Sequence, residues 1–122
     1  MGPPAGRGVA VSNNSTGDLD QFQDDVDQFI RGTAGGYWNR FQILARLTEE
    51  LGEVASALQR VEGLRPHKQE VDLGAEVGDV LFTLAAFANA SGIRLSDVAS
   101  QVMLKYEVRD GPAWRTAHGE ST

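Results

Sequence analysis

The chain contains no cysteine. Disulfide cross-links, thiolate catalysis and cysteine-based zinc sites are excluded with it. Histidine is almost as scarce, occurring only as His67 and His118. Neither lies three residues after a glutamate, so the Glu-x-x-His pattern of a di-iron helical bundle is missing. Cations are in the minority: 11 Lys and Arg face 17 Asp and Glu, a formal net charge of −6. A nucleic-acid polymer is not expected as a partner, because binding one takes cations that displace its counterions. A small phosphorylated ligand stays open, since a bound metal ion reverses the local sign. No apolar run approaches the roughly 20 residues of a membrane span. The opening "MGPPAGRGVAVSNNSTGD" has no apolar core of the secretory type. A cytoplasmic protein without a membrane partner is the expectation.

What remains is the composition of an ordinary globular domain, 41% hydrophobic and 23% charged over 122 residues. Residues 1–17 are rich in Gly, Pro, Ser and Asn and read as a flexible tail. Residues 18–115 read as one helical domain and 116–122 as a C-terminal tail. Within the domain, apolar residues recur at helical spacing in four segments. The first runs from about Asp18, its expected N-cap, to Arg31, with Leu19, Phe22, Val26, Phe29 and Ile30 inward. "GTAGG" at 32–36 breaks it. The second covers about Trp38 to Val61, with Phe41, Leu44, Thr48, Leu51, Val54, Ala55 and Leu58 expected on the buried side. The third covers about Glu70 to Ala90, with Leu73, Val77, Val80, Leu81, Leu84 and Phe87 inward. Gly92 suits a left-handed turn after it. The fourth starts after Ser96, its expected cap, and reaches Val108. No segment alternates like a strand. The expectation is an all-α, four-helix bundle. With so little core, a homo-oligomer is expected to bury the remaining apolar surface.

The second and third segments also carry acids. Glu50 and Glu53 are three apart, and so are Glu76 and Asp79, which places each pair on one helix face. Counted from the intervening loop, the pairs sit at similar heights in an antiparallel hairpin. Four carboxylates in one space repel unless a cation joins them. An all-oxygen set suits Mg²⁺, with Mn²⁺ as the alternative. A solvated acidic face is the plainer reading. Against it stand Gly52 and Gly78 inside the two motifs, each costing its helix up to about 1 kcal/mol relative to Ala. Glycine there would let a helix or ligand come close.

"EELGE" at 49–53, followed by "EVGD" at 76–79, resembles the EExxE…ExxD signature of the MazG-like nucleotide pyrophosphohydrolases, all-α enzymes. "ARLTEELGEVASAL", "EVGDVLFTLAAFAN" and "VMLKYEVRD" carry the resemblance, which covers about residues 20–115 and is nearest the short single-domain type. It implies a four-helix protomer in a homodimer or dimer of dimers. It implies Mg²⁺-dependent hydrolysis of a nucleoside triphosphate, NTP or dNTP, to the monophosphate and pyrophosphate, in nucleotide-pool housekeeping. Glu50, Glu53, Glu76 and Asp79 would be metal ligands. Glu49 would be a base for the attacking water or a group behind the ligands. Lys105 and Arg109, flanking Tyr106, match the family's Lys-aromatic-x-x-Arg pattern and would hold phosphate oxygens. Cations near a helix C-terminus are otherwise ordinary.

Base recognition is less specific. Tyr37, Trp38 and Phe41 cluster after the glycine break, and Trp114 follows the last helix. An aromatic ring is a stacking platform for a base. For Trp38 and Trp114, stacking and core packing are both open, whereas Phe41 reads as core. Asn89 reads as a helix-end polar group and His67 as a loop residue. The reading from another class is a metal-dependent nucleotide-binding regulator that does not hydrolyse, and a third is a structural acidic bundle.

Overall fold

The computed structural model describes residues 15–66 and 70–111. Among these residues there are four α-helices and no strands: α1 Ser15–Gln28, α2 Arg40–Val61, α3 Leu73–Ala90 and α4 Leu95–Arg109. His67, His118 and Trp114 lie outside the described residues, as do 1–14 of the expected tail and all of 116–122. The chain divides into two compact units. One is Gln23–Ile93, and the other joins the segment up to Phe22 to the segment from Arg94.

Capping explains where the helices of the first unit begin. Asn39 accepts a hydrogen bond from the Gln42 amide at 2.9 Å, and the Gln42 side chain accepts from the Asn39 amide at 3.1 Å. This reciprocal box satisfies two otherwise orphaned donors and starts α2 two residues later than apolar spacing predicts. Asp72 caps α3 with a single bond, accepting from the Ala75 amide at 3.0 Å. α1 does not stop with an ordinary α-turn. It widens into a π-turn over Phe29–Thr33, closed by Ala34 N–H donating to the Phe29 carbonyl at 3.0 Å. Gly35 and Gly36 follow at φ 84° and 109°, a region side chains avoid. The turn brings Phe29 edge-on to Phe82 of α3 with centroids 5.9 Å apart.

α2 and α3 pack against each other as a hairpin. The buried residues are Ile43 and Ala57 of α2 and Thr83, Ala85, Ala86 and Ala88 of α3. Gln23 of α1 is buried too. Its amide donates to Asn89 Oδ1 and to the Ile93 carbonyl, both at 2.8 Å, and Asn89 Nδ2 donates back to the Gln23 carbonyl at 3.1 Å. Asn89 therefore ties α1 to the end of α3. Gly92 takes the left-handed conformation expected of it, at φ 68°.

Four expectations are corrected in this unit. Of the α3 stripe expected inward, Val77, Leu81 and Leu84 are exposed, and the buried residues are Thr83, Ala85, Ala86 and Ala88. The stripe assigned to the buried side of α2 is largely turned outward: Phe41 is 84% exposed and Leu51 60%, with Leu44 and Leu58 also exposed. The inward side is Ile43, Leu47, Glu50, Val54 and Ala57, about a quarter-turn away or more. Two apolar stripes on one helix cannot be ranked by period alone. Gly52 and Gly78 meet no neighbour within 4 Å of a built Cβ, so the close approach expected there is not made within the chain. Finally, α3 does reach the length and mean hydropathy, 1.2, of a membrane span. Its Glu76 and Asp79 sit in the first two turns, and Thr83, Ala85, Ala86 and Ala88 are buried while 22% of the helix as a whole is buried within the chain.

In the second unit α1 begins at Ser15, three residues before the expected cap, and Asp18 falls in its first turn. α4 begins after Arg94, so Ser96 is inside the helix and does not cap it. The Ser96 hydroxyl instead donates to Asp20 Oδ1 at 2.6 Å, fastening the start of α4 to α1.

Candidate metal centre and adjoining cavity

Glu50 lies in the middle of α2, and Glu76 and Asp79 lie in the first two turns of α3. One carboxylate oxygen from each falls within 4.8 Å of the others. The hairpin thus brings three of the four expected ligands together, because the two motifs stand at matching distances from the loop. Glu53 is exposed and outside this trio, although its charge still acts on Glu76. Glu49 is exposed on the flank of α2.

The trio is electrostatically unbalanced. Desolvation raises the Glu76 carboxyl above the ordinary carboxylate range, and the charges of Asp79, Glu53, Glu50 and Asp72 push it further in the same direction. The set offers only hard oxygen donors, so it fits a hard divalent cation and offers nothing to a thiophilic one. One positive group is already present. Arg46, a turn before Glu50 on α2, places Nε 2.8 Å from Glu50 Oε1. Sequence reasoning missed this residue, and its i,i+4 relation to Glu50 was the available signal.

Beside the carboxylates opens a cavity of about 290 Å³. Glu50, Asp79 and Arg46 form its polar wall, and Tyr37, Trp38, Phe29 and Phe82 its aromatic one. Trp38 is 58% exposed, so it is not a core residue within this chain. Tyr37 donates its hydroxyl to Asp27 Oδ1, and burial followed by that bond pushes its pKa up to about 12. It therefore remains a neutral phenol at any ordinary pH. Arg31, paired with Asp27 at 3.0 Å, also stacks on the Tyr37 ring.

The last two sequence candidates belong to the other unit. Lys105 and Arg109 both lie over the Tyr106 ring, at 5.1 and 5.3 Å from its centroid. Arg109 also makes two 2.8 Å bonds to the Asp110 carboxylate.

The described residues define a class: helical proteins that bring carboxylates from two facing helices together beside an aromatic-walled cavity. The comparisons narrow that class. Residues 40–114 match the profile of the MazG nucleotide pyrophosphohydrolase domain, and the chain belongs to this family. It is 37% identical over 99 residues to the uncharacterized protein YpjD of Bacillus subtilis (strain 168), covering 79% of this chain and 89% of that one. The crystal structure of Bacillus subtilis YpjD superposes with a TM-score of 0.70 at 34% identity, covering 84% of this chain and 100% of the other. The Bacillus-conserved MazG protein, a nucleotide pyrophosphohydrolase, superposes at 0.66 with 30% identity, covering 84% and 97%.

Proposed function

We propose that the chain is a Mg²⁺-dependent nucleoside triphosphate pyrophosphohydrolase, with Mn²⁺ as the alternative ion. The observation that carries this reading is the convergence of Glu50, Glu76 and Asp79, two of which, Glu50 and Asp79, line an aromatic-walled cavity. Glu50, Glu76 and Asp79 would hold the cation, with Glu53 completing the set. When bound, the cation would screen the triphosphate from these acids and acidify a water.

The chain's own residues do the rest. The carboxylates would position the polyphosphate end of the substrate only through the cation they hold. Glu49 takes the proton of the attacking water or supports the ligands from behind. Water adds to the α-phosphorus, the α–β anhydride bond breaks, and pyrophosphate leaves from a nucleoside monophosphate. Trp38, exposed on the aromatic wall, supplies a stacking surface for the base. Trp114 is a second stacking candidate. Lys105 and Arg109 neutralise phosphate oxygens. Replacing either by Ala is expected to lower kcat/KM for a triphosphate by about tenfold to a hundredfold, with a smaller effect on inhibition by the monophosphate.

The outward apolar stripe of α2 supports assembly as a homodimer or dimer of dimers, since a contiguous exposed patch marks an interaction surface. The proposed setting is the cytoplasm, in nucleotide-pool housekeeping.

The test is a panel of ribo- and deoxyribonucleoside triphosphates with Mg²⁺, the products resolved by chromatography. Monophosphate and pyrophosphate are expected. A diphosphate with orthophosphate would falsify the assigned bond cleavage. Tight binding without turnover would favour the regulator reading.

A further inference from the structure

Arg46 is the one group of this site that the acidic motif does not require. Its Nε lies 2.8 Å from Glu50 Oε1, and Glu50 also contributes an oxygen to the trio with Glu76 and Asp79. The guanidinium and a cation on that trio therefore draw on the same carboxylate. The pair is not there for the helix alone. With Arg preceding Glu by four, it has the weaker of the two orientations for an i,i+4 pair on a helix. The two partners are also unequally placed. The Glu50 side chain is 12% exposed, whereas Arg46 is 53% exposed. Glu50 is largely enclosed, whereas the Arg46 side chain has solvent around it. Arg46 lines the cavity together with Glu50 and Asp79, so it reaches the space where a ligand at the carboxylates would lie. A planar guanidinium matches phosphate oxygens as well as it matches a carboxylate.

We propose that Arg46 is a two-position cation. In the metal-free protein it neutralises Glu50. When a divalent ion takes that charge, Arg46 turns to a phosphate oxygen of the bound nucleotide. This makes it a phosphate-binding residue of the proposed reaction, and the inference rests on the hydrolase reading for its substrate. Release of Arg46 from Glu50 links metal binding to phosphate recognition: the ion vacates a cation from one carboxylate and makes it available to the substrate. An i,i+4 pair of purely structural value would connect neither event to the other.

The experiment uses the full chain, as wild type, Arg46→Gln and Arg46→Lys, with circular dichroism to confirm the fold of each. Mn²⁺ affinity is measured by calorimetry without nucleotide. Binding of a non-hydrolysable nucleoside triphosphate analogue is then measured at saturating Mn²⁺. Arg46→Gln is expected to bind Mn²⁺ roughly threefold tighter, the scale of one partly screened ion pair. It is expected to bind the analogue about tenfold to a hundredfold more weakly, the scale of a charge-assisted phosphate bond. Arg46→Lys keeps the charge but not the fork and should fall between on both measures. Unchanged or weaker Mn²⁺ binding by Arg46→Gln overturns the competition at Glu50. Unchanged analogue binding overturns the phosphate contact. If Arg46→Gln does not fold, Arg46→Lys decides by the same two readouts. A wild type that binds ion and analogue but hydrolyses no triphosphate removes the hydrolase reading and leaves Arg46's two positions standing. A wild type that binds no triphosphate analogue overturns both.

Discussion

The two long faces of α2 invert the usual arrangement of a soluble helix. The face turned to α3 holds Glu50 among Ile43, Leu47, Val54 and Ala57, while the face turned away holds Phe41, Leu44, Leu51 and Leu58 in the open. A carboxylate on a packed face costs free energy unless something compensates its charge. Large apolar side chains left partly in water forgo a share of the roughly 1.5–3 kcal/mol that full burial of each would contribute. Both departures have the same meaning. The proposed function would complete each face from outside the chain, with an ion beside Glu50 in one case and an apolar partner surface in the other. A helix that served only its own fold would exchange the two sets.

The largest expected effect comes from breaking the charged face. Asp79→Ala removes one oxygen donor of the trio and is expected to lower turnover by more than about a hundredfold. The metal-free variant should melt no lower than wild type, because one member of a repelling cluster is gone. Steady-state rates and thermal melts check both halves, and full activity would remove Asp79 from the metal site. Glu53→Ala gives the sharper contrast. As a ligand Glu53 should cost nearly as much, whereas a rate near wild type would confine the site to the trio.

Breaking the apolar face is next. Leu51→Asp sets a charge in the outward stripe, where Leu51 is 60% exposed within the chain. The expected outcome is a shift of the solution mass toward one chain, 13.1 kDa, by light scattering. An unchanged mass would show that this stripe is not the contact.

A smaller effect follows from pH. The Glu76 carboxyl is raised above its ordinary value by desolvation and by neighbouring carboxylates. The folded metal-free protein therefore binds a proton more readily than the unfolded chain does. Stability should fall as pH rises from the ordinary carboxylate range through the raised Glu76 value, and level off above it. Added Mg²⁺ should abolish that slope, since the ion takes the place of the proton. Urea melts across this window, with and without the ion, read it directly.

The smallest effect tests the rim between the faces. A Cβ at Gly52 meets nothing within 4 Å inside the chain. Gly52→Ala should then stabilise the isolated protomer by up to about 1 kcal/mol through helix propensity. Loss of assembly or of ligand binding in a stabilised variant would show that a partner or ligand comes close to this glycine.

Much of this protein is written in local pattern. Four helical periods, the glycine break after Phe29 and the left-handed Gly92 follow from side-chain spacing and backbone sterics, which act over a few residues. The approach of Glu50 to Glu76 and Asp79 was also legible, because the two motifs stand at similar distances from one loop, although the same spacing argument included Glu53, which lies outside the trio. Tertiary structure decided what spacing leaves degenerate. α2 carries two apolar stripes, and only packing against α3 chose the one containing Ile43 and Ala57. Ser96 looks like a cap, yet the backbone enters the helix earlier and its hydroxyl goes to Asp20, 76 residues away. Contacts between distant residues depend on where whole elements settle, and no local propensity carries that information.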